Sequence, residues 1–311
     1  MQEEKLAKIP QLINEVEKVI LGKSDVLQMT VAAFLAGGHV LFEDIPGVGK
    51  TLMVKTLAKT IQGTFSRVQF TPDLLPSDIL GVSIFNSHTN EFEFRPGPIF
   101  TTVLLADEIN RATPRTQAAL LEAMSENRVT IDNHTYQLPD NFFVLATQNP
   151  IDYEGTYPLP EAQLDRFLFR LNIGYPEFDD EMRLILGKPQ SENSVQELLD
   201  EKEVSELKEL VDEVFVHESV ARYGLQLVEK TRNHPAIALG ISPRGSIAFI
   251  RGAKAFALTQ GRAFVTPEDL QKVLPAVFGH RLKLKSGGHS SDEVKKLMQE
   301  ITSSVPVPIR R

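Results

Sequence analysis

The chain has 311 residues, 42% of them hydrophobic and 24% charged, with no cysteine and a formal charge of −8. That length suggests two domains of ordinary globular composition. The missing cysteines exclude disulfides, thiol catalysis and thiolate zinc sites, and the acidic balance argues against duplex DNA as a partner. The seven histidines show no metal-ligand spacing, and residues 1–5 carry no basic, apolar leader pattern. No apolar window reaches bilayer length, so the expectation is a cytoplasmic protein without a membrane span.

In chain order, Leu6, Ile9, Leu12, Ile13, Val16, Val19 and Ile20 recur at helical spacing. Leu21-Gly22-Lys23 breaks that pattern, and a second helix is predicted from about 25 to 36, before Gly37-Gly38. Five short apolar runs follow at 39–42, 67–70, 102–106, 142–147 and 167–173, of the kind buried parallel strands show. Helical patterns at 51–61 and 114–124 lie between them, so the alternation predicts a parallel sheet with crossover helices. Two further segments, 79–99 and 128–138, each place short alternating runs around a turn-forming tetrad or triad and predict hairpins.

Beyond Gly174-Tyr175-Pro176 the periodicity is helical only, at 181–186, 205–214, 219–231, 243–258 and 267–277. Residues 303–308 read as an extended or frayed tail. The expected organisation is an α/β domain over 1–174, with the hairpins inserted, and a helical domain over 175–311.

Pro46-Gly47-Val48-Gly49-Lys50-Thr51 follows the first strand and opens a helix. Glycines let the backbone turn N–H groups around phosphate oxygens, and the helix N-terminus adds a favourable dipole. Lys50 would neutralise β/γ-phosphate charge and Thr51 would ligate Mg²⁺. The pattern departs from the usual phosphate loop at Asp44, where a first glycine is expected. A carboxylate aimed at phosphate would repel it, so Asp44 is expected to contribute backbone and point its side chain away.

The run at 102–106 ends in Asp107-Glu108, at the strand edge where ligands gather in open α/β sheets. Adjacent residues on an extended strand point oppositely. Asp107 would then hold the Mg²⁺ shell while Glu108 polarises the attacking water. The run at 142–147 ends in Gln148-Asn149-Pro150, where Asn149 either reaches the water or γ-phosphate or merely starts a turn.

Together with 70–78, 105–112, 154–167, Ser242-Pro243-Arg244 and His280-Arg281-Leu282, these motifs resemble the MoxR branch of the AAA+ ATPases, over about residues 5–285. The resemblance implies an α/β fold: a five-stranded P-loop sheet of order 5-1-4-3-2, helices on both faces, and an all-α lid. It implies ATP and Mg²⁺ as ligands and ATP hydrolysis as the reaction. It implies sensor 1 at Asn149, an arginine finger at Arg166, sensor 2 at Arg244 and adenine packing on Leu21-Gly22. Arginine suits the two reaching roles because it stays charged and offers forked donors. The alternatives are a salt bridge from Arg166 to Asp165 or Glu161, and a solvated helix position for Arg244.

A finger supplied in trans leaves each subunit's site incomplete, so turnover requires a head-to-tail homo-oligomer. The resemblance suggests a hexamer whose hairpins project toward a protein client, such as one carrying a von Willebrand A-type domain. Arg111 is expected near the subunit boundary. The leading function is therefore a chaperone-like remodelling ATPase. The alternative is a nucleic-acid motor, disfavoured by the charge, the lack of tryptophan and only 5 tyrosines.

Overall fold

The computed structural model describes residues 2–44, 47–149, 155–187, 194–285 and 291–308. Its elements in chain order are α1 (Gln2–Glu17), α2 (Ser24–Leu35), β1 (Val40–Glu43), α3 (Lys50–Thr60), β2 (Phe65–Gln69), α4 (Pro76–Leu80), β3 (Gly81–Asn86), β4 (Glu91–Pro96), β5 (Val103–Asp107), α5 (Pro114–Glu126), β6 (Arg128–Ile131), β7 (His134–Gln137), β8 (Phe143–Gln148), α6 (Glu161–Leu164) and β9 (Phe169–Leu171). The C-terminal half adds α7 (Phe178–Ile185), α8 (Glu201–Glu213), α9 (Glu218–Asn233), β10 (Ile237–Leu239), α10 (Pro243–Thr259), α11 (Pro267–Phe278), β11 (Lys283–Leu284) and α12 (Ser291–Ser304).

Five strands form one parallel sheet in the order β2-β5-β8-β1-β9. Numbered along the chain and read from the β9 edge, that is 5-1-4-3-2. The three central strands are apolar up to their C-terminal residues, Glu43, Asp107 and Thr147-Gln148, because both faces are covered. Successive residues still alternate between faces. Phe42, Leu105 and Leu145 join a cluster that runs through α1, α2 and α3 to Phe249 and Val277 of the helical half. Leu41, Leu104, Ala106 and Val144 join a second cluster with Leu120, Leu121 and Met124 of α5.

The register levels Glu43 with Gln148 and Gln69 with Asp107. The segments that follow β1, β5 and β8 therefore emerge along one edge of the sheet. The predicted hairpins form as β3–β4 and β6–β7, and they touch: Phe94 stacks on Tyr136 at a centroid distance of 4.0 Å.

The C-terminal half is helical, and its starts are written in the sequence. Ser242-Pro243 and Thr266-Pro267 each supply a capping hydroxyl followed by a proline at the first helical position. A small ribbon pairs β10 with β11, the segments that flank α10 and α11. Pairing of such short, distant segments carries no periodicity, which is why it is invisible as a pattern. The tail is more ordered than expected: α12 extends to Ser304, and Val305 is buried behind it.

Two buried histidines are neutral. His39 accepts from the Val144 N–H through Nδ1 (3.0 Å) and donates through Nε2 to Met124 O (3.2 Å). Burial, helped by the Lys208 charge, holds its pKa down to about 4. His280, bonded through Nε2 to Phe167 O (3.0 Å), is lowered well below the usual histidine value by burial and by Arg281 and Arg170.

Unfolded histidine takes up its proton near pH 6.5, so below that pH the unfolded chain binds more protons than the folded one. Stability is therefore expected to fall by about 2 kcal/mol through His39 between pH 7.5 and 5, with His280 adding a loss in the same direction. Denaturant unfolding at the two pH values measures the drop, and His39→Gln should make it smaller by the His39 share. Equal stability at both values would contradict this reading of the core.

Candidate active site

Gly47 and Gly49 adopt φ of +88° and +90°, a backbone state that L side chains rarely take, and open space lies where a Cβ would point. Gly49 caps α3, so Lys50 and Thr51 stand in its first turn. Lys50 Nζ donates to Asp44 O (3.1 Å). Burial lowers the Lys50 pKa, against the opposing pull of Asp44, Asp107 and Glu108. The Asp44 carboxylate accepts the N–H groups of Ile173 (2.7 Å) and Gly174 (2.9 Å). The side chain thus ties the loop's entry to the segment after β9 while its carbonyl serves Lys50. Pro46, with Ile45, and residues 150–154 of the later motifs lie outside the described residues.

Asp107 ends β5, but Glu108 is not extended. Its φ of +56° and ψ of +49° are left-handed, an uncommon state for a non-glycine residue. This corrects the expectation that the two carboxylates diverge along a strand. The turn at Glu108 leaves both lining the same cleft. Thr147 on β8 links them: its hydroxyl donates to Asp107 Oδ1 (2.6 Å) and accepts the Glu108 N–H (2.8 Å).

Residues that the motifs did not single out complete the acidic wall. Arg67 donates to Asp107 Oδ2 (2.6 Å), and Gln69 Nε2 donates to Glu108 Oε2 (2.7 Å). Both come from β2, two residues apart on one face, beside β5 in the register above. Arg111, whose role was open, pairs through Nε with Glu108 Oε2 (3.1 Å).

The cleft has a volume of about 410 Å³ and gathers Gly47, Gly49, Lys50, Thr51, Asp107, Glu108 and Asn149 from the predicted set, with Thr147, Arg67 and Gln69. A cation and a glycine turn face two carboxylates and a hydroxyl, a donor set that fits a polyphosphate with a hard divalent ion.

Five described residues of the predicted set do not line this cleft: Val48, which packs against the larger core cluster instead, Leu21, Gly22, Arg166 and Arg244. Gly22 lies against the segment after β9: an added Cβ there would collide with the Asp180 carboxylate, and Lys23 Nζ donates to Tyr175 O (2.7 Å). Arg166 bonds the carbonyl of Leu121 on α5, so the proposed salt bridge to Asp165 or Glu161 is replaced by a main-chain contact. Arg244, at the start of α10 and mostly exposed, lies 3.7 Å from Asp165.

A parallel sheet of this order, with a glycine loop after its first strand and paired acids after its third, defines an AAA+-type P-loop nucleotidase fold. Comparisons agree. Residues 39–169 match the ATPase family associated with various cellular activities (AAA), and residues 229–301 match the AAA lid domain. The chain is 49% identical to the uncharacterized protein YeaC of Bacillus subtilis, over 96% of this chain and 94% of that one. It is 42% identical to the chaperone MoxR1 of Mycobacterium tuberculosis, over 89% of this chain and 76% of that one. A solved structure from Cytophaga hutchinsonii, described as that of a candidate ATPase, superposes with a TM-score of 0.89 at 38% identity, covering 99% of this chain and 97% of its own. The chain belongs to the MoxR family of AAA+ ATPases. No helix among the described residues is long and apolar enough to cross a membrane.

Proposed function

We propose that this protein hydrolyses ATP in a ring of its own copies, the hexamer its family resemblance suggests, and uses the cycle to remodel partner proteins. The observation that carries the reading is the convergence of Lys50, Thr51, Asp107, Glu108 and Asn149 on one cleft that Arg166 does not line. Lys50 would bind the β/γ-phosphate oxygens, and Thr51 and Asp107 would hold Mg²⁺. The metal, when bound, would neutralise phosphate charge and polarise the phosphorus. Glu108 would then accept the proton of the attacking water, which Asn149 orients. Arg166 of the next protomer would supply the missing positive charge. Asp107 has to exchange Arg67 for the metal, and Glu108 has to leave Gln69, before both can act.

Support for a protein client comes from the first hairpin. Phe85 and Phe92 pack edge to face at 5.4 Å, yet Phe92 is 72% exposed. Exposed aromatic pairs of this kind mark contact surfaces. Because their rings contact each other at the surface rather than the core, Phe85→Ser with Phe92→Ser is expected to leave basal ATP hydrolysis and thermal stability unchanged. Remodelling of a von Willebrand A-type partner, followed as a change in its protease resistance, should be lost. Loss of basal hydrolysis as well would show the hairpin to be structural. Strong stimulation of the ATPase by DNA would favour the nucleic-acid motor instead.

A further inference from the structure

The His280-Arg281-Leu282 motif has no part in the cleft. Arg281 is 5% exposed, and all but one of its hydrogen bonds go to residues 165–168. Nε donates to Asp165 Oδ1 (2.6 Å). Nη2 donates to Asp165 O (3.3 Å) and Phe167 O (2.8 Å), and Nη1 to Leu168 O (3.1 Å) and Val277 O (2.6 Å). His280 adds a second bond to Phe167 O. All but one of these acceptors flank Arg166. A buried guanidinium that bonds four main-chain carbonyls, three of them around Arg166, fixes a backbone path as no ammonium could. The other carboxylate oxygen of Asp165 faces Arg244 at the head of α10.

We propose that Arg281 is a positioning residue for Arg166. It holds the turn from which Arg166 reaches the neighbouring protomer, and through Asp165 it links that turn to α10. The inference rests on the finger reading of Arg166 given above. Its consequence is directional: damage at Arg281 should impair the site of the neighbour that receives the finger and spare the protomer's own site.

Mixed assemblies test this. Glu108→Gln protomers can donate a finger but not turn over, and Arg166→Ala protomers can turn over but not donate, so their mixture reports one kind of interface. Arg281→Lys keeps the charge and loses the fork. Placed in the Glu108→Gln donor, it is expected to lower kcat of the mixture by about 10- to 100-fold with KM for ATP unchanged. Placed in the Arg166→Ala acceptor, it should leave the rate near that of the parent mixture.

Equal losses in both placements would overturn the inference by showing a general structural role, as would no loss in the donor. Asp165→Asn, which keeps the shape and removes the ion pair, should reproduce the donor-side loss and guards against a folding defect of the lysine variant. Full turnover by Arg166→Ala alone would instead overturn the finger reading, a failure that looks different from the other two.

Discussion

Glu108→Gln is expected to bind ATP as tightly as the parent protein while turnover falls by about 10²- to 10⁴-fold. The amide occupies the same volume and can still accept from Gln69 Nε2, whose present contact is 2.7 Å. It cannot take a proton from water. The main chain is already bent into the left-handed region at this position, and glutamine is no worse there than glutamate. Binding should therefore survive, since Lys50, Thr51 and Asp107 are untouched. Losing the Arg111 ion pair, half exposed to solvent, costs little stability. Fluorescent-nucleotide titration beside a phosphate-release assay separates the two effects. Turnover unchanged in this variant would remove Glu108 from the chemistry.

Arg166→Ala is expected to produce the other large effect, a loss of about 10³- to 10⁵-fold in kcat with nucleotide affinity retained. The reason is geometric. The residue does not line its own protomer's cleft, so its absence cannot weaken binding there directly. Its contact with Leu121 O is a single hydrogen bond to a carbonyl, and removing it should lower stability by about 1 kcal/mol. Arg166→Lys should recover little, because a point charge on a flexible stem does not reproduce a forked donor. A parallel loss of ATP affinity would point to a role within the subunit.

How much of this was legible beforehand differs from part to part. The glycine loop and the acidic pair were, because each follows an uninterrupted apolar run, and a strand buried on both faces has no other signature. The hairpins were legible from period-two runs around turn residues. The carboxylate geometry was not: the left-handed turn at Glu108 depends on Thr147, which reaches it from another strand. Arg67 and Gln69 were within the strand read at 67–70, but their meaning comes from lying beside β5, a neighbour set by sheet order rather than by sequence distance. Arg281 belongs to a motif that carries the resemblance, but its role is not legible there, because folding alone closes Asp165, Phe167 and Leu168 around it. The last helix had helical spacing in Val294, Leu297, Met298 and Ile301, a signal that periodicity could have supplied.

The composite site is tested most directly by mixing purified Glu108→Gln and Arg166→Ala proteins with Mg²⁺ and ATP. Each is inactive alone for a different reason, and a site built across two protomers needs one intact half from each. Phosphate release that reappears on mixing and rises with the fraction of mixed contacts is the expected result. A mixture as inactive as its parts, in assemblies shown to contain both proteins, would contradict a site completed by the neighbour's arginine.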